Sequence, residues 1–447
     1  MSATPITSVS ILRPGEDGYD AGRAIFNLAI DQRPAAIALP RDAGEVAAAV
    51  AIATEHGLRV APQRTGHNAG PLGSLERTML LRTDALDAVT IDVERRRARV
   101  GAGARWEDVV PAASAHGLAA LHGSTLDVSV VGYTLGGGLG WYGRRHGLAA
   151  NHVLAIELVT ADGALRRVDA DHDADLFWAL RGGGGNFGVV TAIEFELLPI
   201  RDVYAGALFF PWERSAEVLH AWRRWTADVP EAVTSVGRIL QFPPFPEIPE
   251  PLRGNAFVVV EAVCLDGEAA AAELLAPLRA LGPAMDTFAT VAPADIAELH
   301  MDPRDPIPCA GEHRLLDALP AEAIDAFVAL AGPGSGSPML NIELRHLGGA
   351  LGRVPDGAGA AGALAGEFCL FAVGVTPTPE AAGALRAHFG AVVQALAPYE
   401  AGRFFSFTEE ATPATAFFHD DVVARLRAVK AAVDPSGVFQ ANHDIAR

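Results

Sequence analysis

A histidine sits in the middle of a glycine-rich loop, Pro62-Gln63-Arg64-Thr65-Gly66-His67-Asn68-Ala69-Gly70-Pro71-Leu72-Gly73. The stretch lies between a helix-patterned run and a strand, and holds too much Gly and Pro to be either. Gly66, Gly70 and Gly73 permit backbone angles that a side chain forbids, and they let main-chain N–H groups come close to an anion. Composition alone leaves His67 between a functional and a solvated loop histidine.

Further blocks of the same kind follow: Gly132-Tyr133-Thr134-Leu135-Gly136-Gly137-Gly138-Leu139-Gly140-Trp141, then Arg144 to Val153, then Asp175 to Thr191 with four consecutive glycines at 182–185. Two of their spacings imitate a dinucleotide fingerprint, Gly138-x-Gly140-x-x-Gly143 and Gly183-x-Gly185-x-x-Gly188. A fingerprint needs a long helix opening at the third glycine; Gly147 leaves the first no room for one, and the second follows a helix rather than a strand. The run Asp169-x-Asp171-x-Asp173-x-Asp175 lacks the sixth-position glycine and twelfth-position glutamate of a calcium loop and reads as a solvated turn; no metal site is expected.

In the order and spacing of these blocks the chain resembles the vanillyl-alcohol oxidase superfamily of flavoproteins, in the branch that contains berberine bridge enzyme and 6-hydroxy-D-nicotine oxidase, with a PCMH-type FAD-binding domain. The likeness is close over roughly residues 30 to 200 and returns in Asp434-Pro435-Ser436-Gly437-Val438-Phe439-Gln440-Ala441-Asn442-His443-Asp444-Ile445. It implies that the His67 loop wraps the FAD pyrophosphate with backbone N–H groups, and that His67 carries the flavin covalently through its 8α-methyl. A neutral imidazole nitrogen is a competent nucleophile for that bond, which raises the flavin potential and prevents its loss. Where the family most often has Arg-Ser-Gly-Gly-His, this chain has Gln63-Arg64-Thr65-Gly66-His67.

Many relatives attach FAD a second time through a cysteine, whose place in Gly123-Ser124-Thr125-Leu126-Asp127-Val128 is held here by Thr125, so the resemblance implies a single attachment. Val128 matches the position that admits oxygen to the flavin when it is valine, which favours an oxidase; a strand valine is equally at home in a core. By the same likeness Arg64, Thr65, Gly66, Asn68, Ser129, Val130, Gly132, Gly138, Asn151, Val189, Val190 and Asn442 fall at cofactor-lining places. Relatives also supply a tyrosine from a Tyr-x-Asn-Tyr motif, and the comparable stretch here is Phe404-Phe405-Ser406-Phe407. Strand alternation instead puts Asn341, Glu343 and Arg345 on one face, expected to look toward the flavin. Glu343 and Arg345 are therefore the substrate-site candidates, with Tyr142, His346, Glu409 and His419 behind them.

The elements that must position these residues come in an α/β order. Ala35 to Pro40 reads as a strand, Asp42 as the N-cap of an alanine-rich helix ending at Gly57, and Leu58 to Ala61 as a strand feeding the His67 loop. Residues 17 to 34 look like a helical entry segment. Met79 to Arg82, the hairpin of Val89 to Val93 with Ala98 to Ala102, a helix from Trp106, and an apolar strand from Val128 to Leu135 follow. Val153 to Ala161 pairs with Ala164 to Val168, then come a helix from Ala174 to Arg181 and a strand from Val189 to Leu198. From about residue 202 strands at Tyr204 to Phe210, Ala256 to Cys264, Leu340 to Leu347 and Cys369 to Val375 mix with helices over 213–228, 268–281, 320–331 and 379–396. The fold class is α+β, with a two-lobed FAD-binding domain at 1–200 (lobes about 30–100 and 101–200), a substrate domain of antiparallel sheet backed by helices at 201–410, and a segment at 411–447 returning to the FAD domain.

Composition sets the outer limits. With 54 acidic against 35 basic residues the net charge is −19, which opposes nucleic acid and anionic membranes as partners. Cys264, Cys309 and Cys369 are few and scattered, which fits a reducing compartment. Met1 to Ser10 shows neither a charged nor an apolar leader segment, and a cytoplasmic location is expected. The reading is an FAD-dependent oxidase that takes a hydride from a C–H next to O or N of a small to medium, apolar organic molecule and reduces O₂ to H₂O₂. A flavin-dependent cyclase or dehydrogenase, and a flavin-binding protein without turnover, are the alternatives, and a homodimer is open.

Overall fold

A computed structural model describes residues 9–246 and 248–446, so the first eight residues of the leader reading lie outside the described residues. Three sheets make up the described residues. The first has the order β1 (Ser10–Leu12), β2 (Ala36–Leu39), β4 (Thr78–Arg82), β3 (Arg59–Gln63), with β2, β4 and β3 parallel and β1 an antiparallel edge. The one-turn helix α1 (Tyr19–Gly22) precedes β2, and α2 (Ala43–Glu55) makes the crossover from β2 to β3. As expected, the Asp42 side chain accepts from Glu45 N–H at 2.9 Å to start α2.

The second sheet is antiparallel: β5 (Val89–Asp92), β6 (Arg97–Gly101), β9 (Val189–Glu196), β7 (Val153–Val159), β8 (Leu165–Asp169). Between β6 and β7 run the short helices α3 (Trp106–Ser114), α4 (Val130–Leu135) and α5 (Gly143–His146), and α6 (Ala174–Leu180) precedes β9. One hydrophobic core joins these two sheets, and Trp106 and Phe187 are fully buried in it.

The third sheet holds β10 (Val203–Pro211), β11 (Val233–Gln241), β12 (Ala256–Cys264), β13 (Met285–Asp286), β14 (Ala289–Val291), β15 (Cys309–Leu316), β16 (Asn341–His346), β17 (Phe368–Val375) and β18 (Glu400–Gly402). It is antiparallel in the order β13-β10-β12-β11-β16-β17-β15-β18, with β14 also on β10. Helices α7 (Ser215–Thr226), α8 (Glu268–Arg279), α9 (Ala321–Ala331) and α10 (Pro379–Leu396) bury Leu208, Ile239, Val260, Ile342, Leu344 and Leu370 on one face. Strand alternation sends the intervening side chains, among them Arg238, Glu261, Glu343 and Arg345, to the opposite face.

After α11 (Asp420–Val433) the chain returns to the first sheet. Phe439 bridges Val60, and the Gln440 side chain donates to Leu72 O at 2.7 Å and bonds the Thr78 hydroxyl.

Three expectations are corrected. Val130–Leu135 is helix rather than strand: Ser129 Oγ caps it through Gly132 N–H at 3.4 Å, and Thr134 Oγ bonds back to Val130 O at 2.7 Å. The entry segment 17–34 is helical only over α1, since Asn27 spends its side chain on Ala29 N–H and Cys309 O instead of continuing a helix. Strands β1, β11, β13, β14, β15 and β18 lay outside the expected set.

Candidate functional site

The His67 loop leaves the C-terminal end of β3, the end of a parallel sheet where ligands gather. Gly66 has φ +74°, and a Cβ there would stand 2.5 Å from Ile25, so the turn that presents His67 requires glycine. Arg64 is structural: its guanidinium donates to Gly103 O at 2.7 Å and to Asp84 at 2.8 Å. His67 is held on three sides. Nδ1 meets Thr65 Oγ at 2.8 Å, Nε2 lies 3.4 Å from Asp127 Oδ2, and the ring stacks on Phe26 with centroids 3.9 Å apart.

This loop forms one wall of a cavity of about 420 Å³. A second wall comes from residues 123–136, and a third from the polar face of the third sheet through Arg345, Phe371 and Val373. Segment 405–409 and Asn442 close the gaps: Asn68 donates to Ser406 O at 3.2 Å, and Asn442 donates to Asn68 O. The wall at 123–136 is tied to Asp302, which accepts from Ser124 at 3.0 Å and from the Thr125 hydroxyl.

Of the residues singled out in the sequence, Arg64, Thr65, Gly66, His67, Asn68, Thr125, Val128, Ser129, Gly132, Val190, Arg345, Glu409 and Asn442 all line this one cavity. The others stand elsewhere. Val130 and Val189 are fully buried in the core, Asn151 holds the backbone of Gly359 and Gly362, and Gly138 (φ +78°) packs on Ala149 and Tyr133. Tyr142 is buried edge-on to His122 with its hydroxyl pKa raised by burial. His346 contacts Arg144 and stacks on Phe368, and burial lowers its pKa to about 3. His419 is exposed at the start of α11.

Glu343 shares Arg345's face of β16, yet it lies behind the wall in a buried ion network. It pairs with Arg345 at 2.5 Å and with His300 at 2.8 Å, and His300 pairs in turn with Glu261 at 2.6 Å, beside Arg238. Burial opposes ionisation of Glu343, but Arg345, His300 and Arg238 outweigh it and hold the carboxyl well below its usual range. Burial and Arg238 likewise disfavour the His300 cation, and Glu261 and Glu343 overcome them, raising it to about 9. The network fixes the Arg345 guanidinium, which also lies 5.3 Å from the Phe407 ring centre and 5.8 Å from that of Phe371.

Phe26, Asp127, His300 and Asp302 join the site without having been singled out. Asp127 lies inside a segment already of interest, whereas the other three carry no local pattern and arrive only through the fold.

The arrangement suits a long cofactor with a phosphate-bearing part. Among the described residues the N–H groups of Gly66, His67 and Asn68 donate to no protein acceptor, and the buried His67 Nε2, Asn68 Oδ1 and Tyr133 hydroxyl make no hydrogen bond. All four residues line the cavity, along with Gly132, Gly136, Gly184 and Gly185, where backbone can approach a ligand closely.

Comparison with known proteins gives the same direction. Residues 34–169 match the FAD binding domain family. The (R)-6-hydroxynicotine oxidase of Paenarthrobacter nicotinovorans is 36% identical over 219 residues, 48% of this chain and 47% of that protein; the chain spans about half the length of the curated relatives it matches. The solved 6-hydroxy-D-nicotine oxidase from Arthrobacter nicotinovorans superposes with a TM-score of 0.82 at 25% identity, covering 100% of this chain and 99% of its own. Berberine bridge enzyme from Eschscholzia californica shares the fold, with a TM-score of 0.83 at 18% identity over 98% of this chain and 97% of its own.

Proposed function

From a chain that has the fold of the vanillyl-alcohol oxidase and berberine bridge enzyme superfamily and an FAD binding domain at residues 34–169, we propose an FAD-dependent oxidase with the flavin attached once, through His67. The observation that carries this is the setting of His67: on a glycine turn, in the wall of the main cavity, its two ring nitrogens facing Thr65 and Asp127. Thr125 stands at the place of a second attachment and has a hydroxyl, not a thiol. FAD held in this cavity would supply the hydride acceptor and a route for the electrons to O₂. The chain's own part is to bind, orient and exclude water. Loop 66–68 offers three N–H groups to phosphate, Asn442 braces that loop from the C-terminal segment, and Val128 stands in the wall where oxygen would approach.

The substrate face is largely apolar, with Leu340, Phe371, Val373 and Phe407 around Arg345. It suits a small to medium organic molecule whose reacting C–H adjoins an oxygen or nitrogen, held over the flavin as hydride transfer requires. Net charge −19 and Glu409 in the wall argue against a polyanionic substrate. The test is colour and reactivity. Acid-precipitated protein should stay yellow, anaerobic incubation with an alcohol and amine panel should bleach the flavin, and air should restore it with release of H₂O₂. Bleaching without rapid recovery in air would turn the reading to a dehydrogenase.

A further inference from the structure

The reaction needs a group to take the substrate's O–H or N–H proton, and the stretch Phe404-Phe405-Ser406-Phe407 along the cavity holds no titratable side chain. Three carboxylates other than Glu409 come near the cavity; Asp127 faces the His67 ring, with Oδ2 3.4 Å from Nε2, and the other two are tied to partners of their own. Glu343 lies behind Arg345 and is paired with it and with His300. Asp302 accepts from the Ser124 and Thr125 hydroxyls, which hold its carboxylate against the 123–136 wall.

Glu409 is placed differently. Its backbone abuts the cofactor loop, since a Cβ on Gly70 would stand 2.6 Å from Glu409 O. Its side chain crosses to the third sheet, where Oε2 accepts the Gly311 N–H at 2.9 Å. A Cβ on Gly311 would lie 2.7 Å from Oε1, so the absent side chain on β15 is what admits the carboxyl. Glu409 therefore spans from the His67 loop to the substrate sheet and lines the cavity between them.

We propose that Glu409 accepts the substrate's O–H or N–H proton as the neighbouring C–H departs as hydride. This rests on the oxidase reading. The C–H electron pair goes to the flavin, the electrons of the broken O–H or N–H bond form the new C=O or C=N bond, and the proton ends on the Glu409 carboxylate. The hydride carries away two electrons and one proton and the base takes a second proton, and this loss of two electrons and two protons balances the oxidation of an alcohol to a carbonyl or an amine to an imine.

The electrostatics agree. Burial pushes the Glu409 carboxyl up to about 7, against the Gly311 hydrogen bond that lowers it, and the acidic Glu312 and Glu410 add to the rise. The thiol beside it, Cys309, is itself raised to about 12, by burial first and by Glu409, and stays neutral. A base with its pKa near the working pH is the effective kind.

The test uses the FAD-loaded protein. Infrared difference titration of wild type against Glu409→Gln should show a carboxyl band that changes with a midpoint near pH 7 and is missing in the variant; a midpoint in the ordinary range below 5 overturns the proposal. With a substrate that bleaches the wild-type flavin anaerobically, the bleaching rate should rise with pH through about 7. In Glu409→Gln it should fall by about a hundredfold or more and lose that pH dependence, while Glu409→Asp recovers part of it. Gly311→Ala, which displaces the carboxyl, should shift the profile with the flavin still bound. A Gln variant that bleaches at the wild-type rate with the wild-type profile overturns the proposal alone. A wild-type flavin that no alcohol or amine bleaches overturns the oxidase reading and this step with it.

Discussion

Asp127 Oδ2 lies 3.4 Å from Nε2 of His67, and Asp127 is itself nearly buried, with a side chain 10% exposed. Its other oxygen, Oδ1, is buried without a hydrogen bond. The Thr65 hydroxyl and the Phe26 ring hold the plane of the imidazole, and Asp127 sets a carboxylate beside Nε2. His67→Ala should bind FAD reversibly, so that denaturation releases all of it. Asp127→Asn should keep the flavin bound while lowering the covalent fraction severalfold, read as fluorescence of the denatured protein band in a gel. Equal covalent fractions in wild type and Asp127→Asn would remove Asp127 from this role.

Gly66→Ala tests the loop itself. The left-handed φ of +74° costs a side-chain-bearing residue roughly 1 to 2 kcal/mol. The added carbon would also meet Ile25 at 2.5 Å, so the loop or the Ile25 segment must shift. Flavin content at purification should drop at least tenfold and Tm should fall. Gly73→Ala, whose Cβ meets nothing within 4 Å, serves as the control that carries strain without a clash.

The buried network predicts a pH dependence of stability with a definite sign. His300 has its pKa raised from 6.5 to about 9 in the folded state. Its contribution is therefore complete below pH 6.5 and is lost as pH rises through 9. The size is on the order of 3 kcal/mol. Denaturant titrations between pH 6 and 10 should show this loss, and His300→Gln should flatten it. Glu343, depressed in the folded state, works in the opposite sense: its contribution is present above the usual carboxylate range and fails only on acidification through its lowered pKa. Glu343→Gln at pH 7 leaves Arg345 and His300 without their shared anion and should cost roughly 3 kcal/mol.

Gln440 supplies the side-chain bonds that tie the C-terminal segment to the first sheet, which makes its role measurable. Gln440→Ala removes the donors to Leu72 O at 2.7 Å and Ser74 O at 3.2 Å and the acceptor of the Thr78 hydroxyl. Leaving those buried groups unpaired should cost about 1 to 3 kcal/mol. Hydrogen exchange should quicken in residues 438–445 and in the loop at 66–73 together, because Asn442 braces Asn68. Faster exchange in the tail alone would show that the two do not move as one.

The sequence by itself determined the parts whose causes are local. Asp42 capping α2, the helices with an apolar stripe around 268–279 and 379–396, and the turn that needs glycine at 66 follow from neighbours along the chain. The glycine loops and His67 were legible because a close backbone approach to a ligand restricts residue type at fixed spacing. Two kinds of feature were settled only by tertiary structure. The run from Val130 to Leu135 has β-branched residues that favour a strand, and burial against the core with a serine cap made it helix. Strands β11 and β15 carry Arg238, Glu312, His313 and Arg314, which broke the alternating pattern: Arg238 is paired by Glu261 of β12 and His313 by the Phe404 N–H, whereas Glu312 and Arg314 pair along β15 itself. Glu343 and Arg345 could be assigned to one face of β16 from the sequence, but not to different depths. That depended on His300, brought in from 43 positions earlier in the chain to bind one of them and leave the other in the wall.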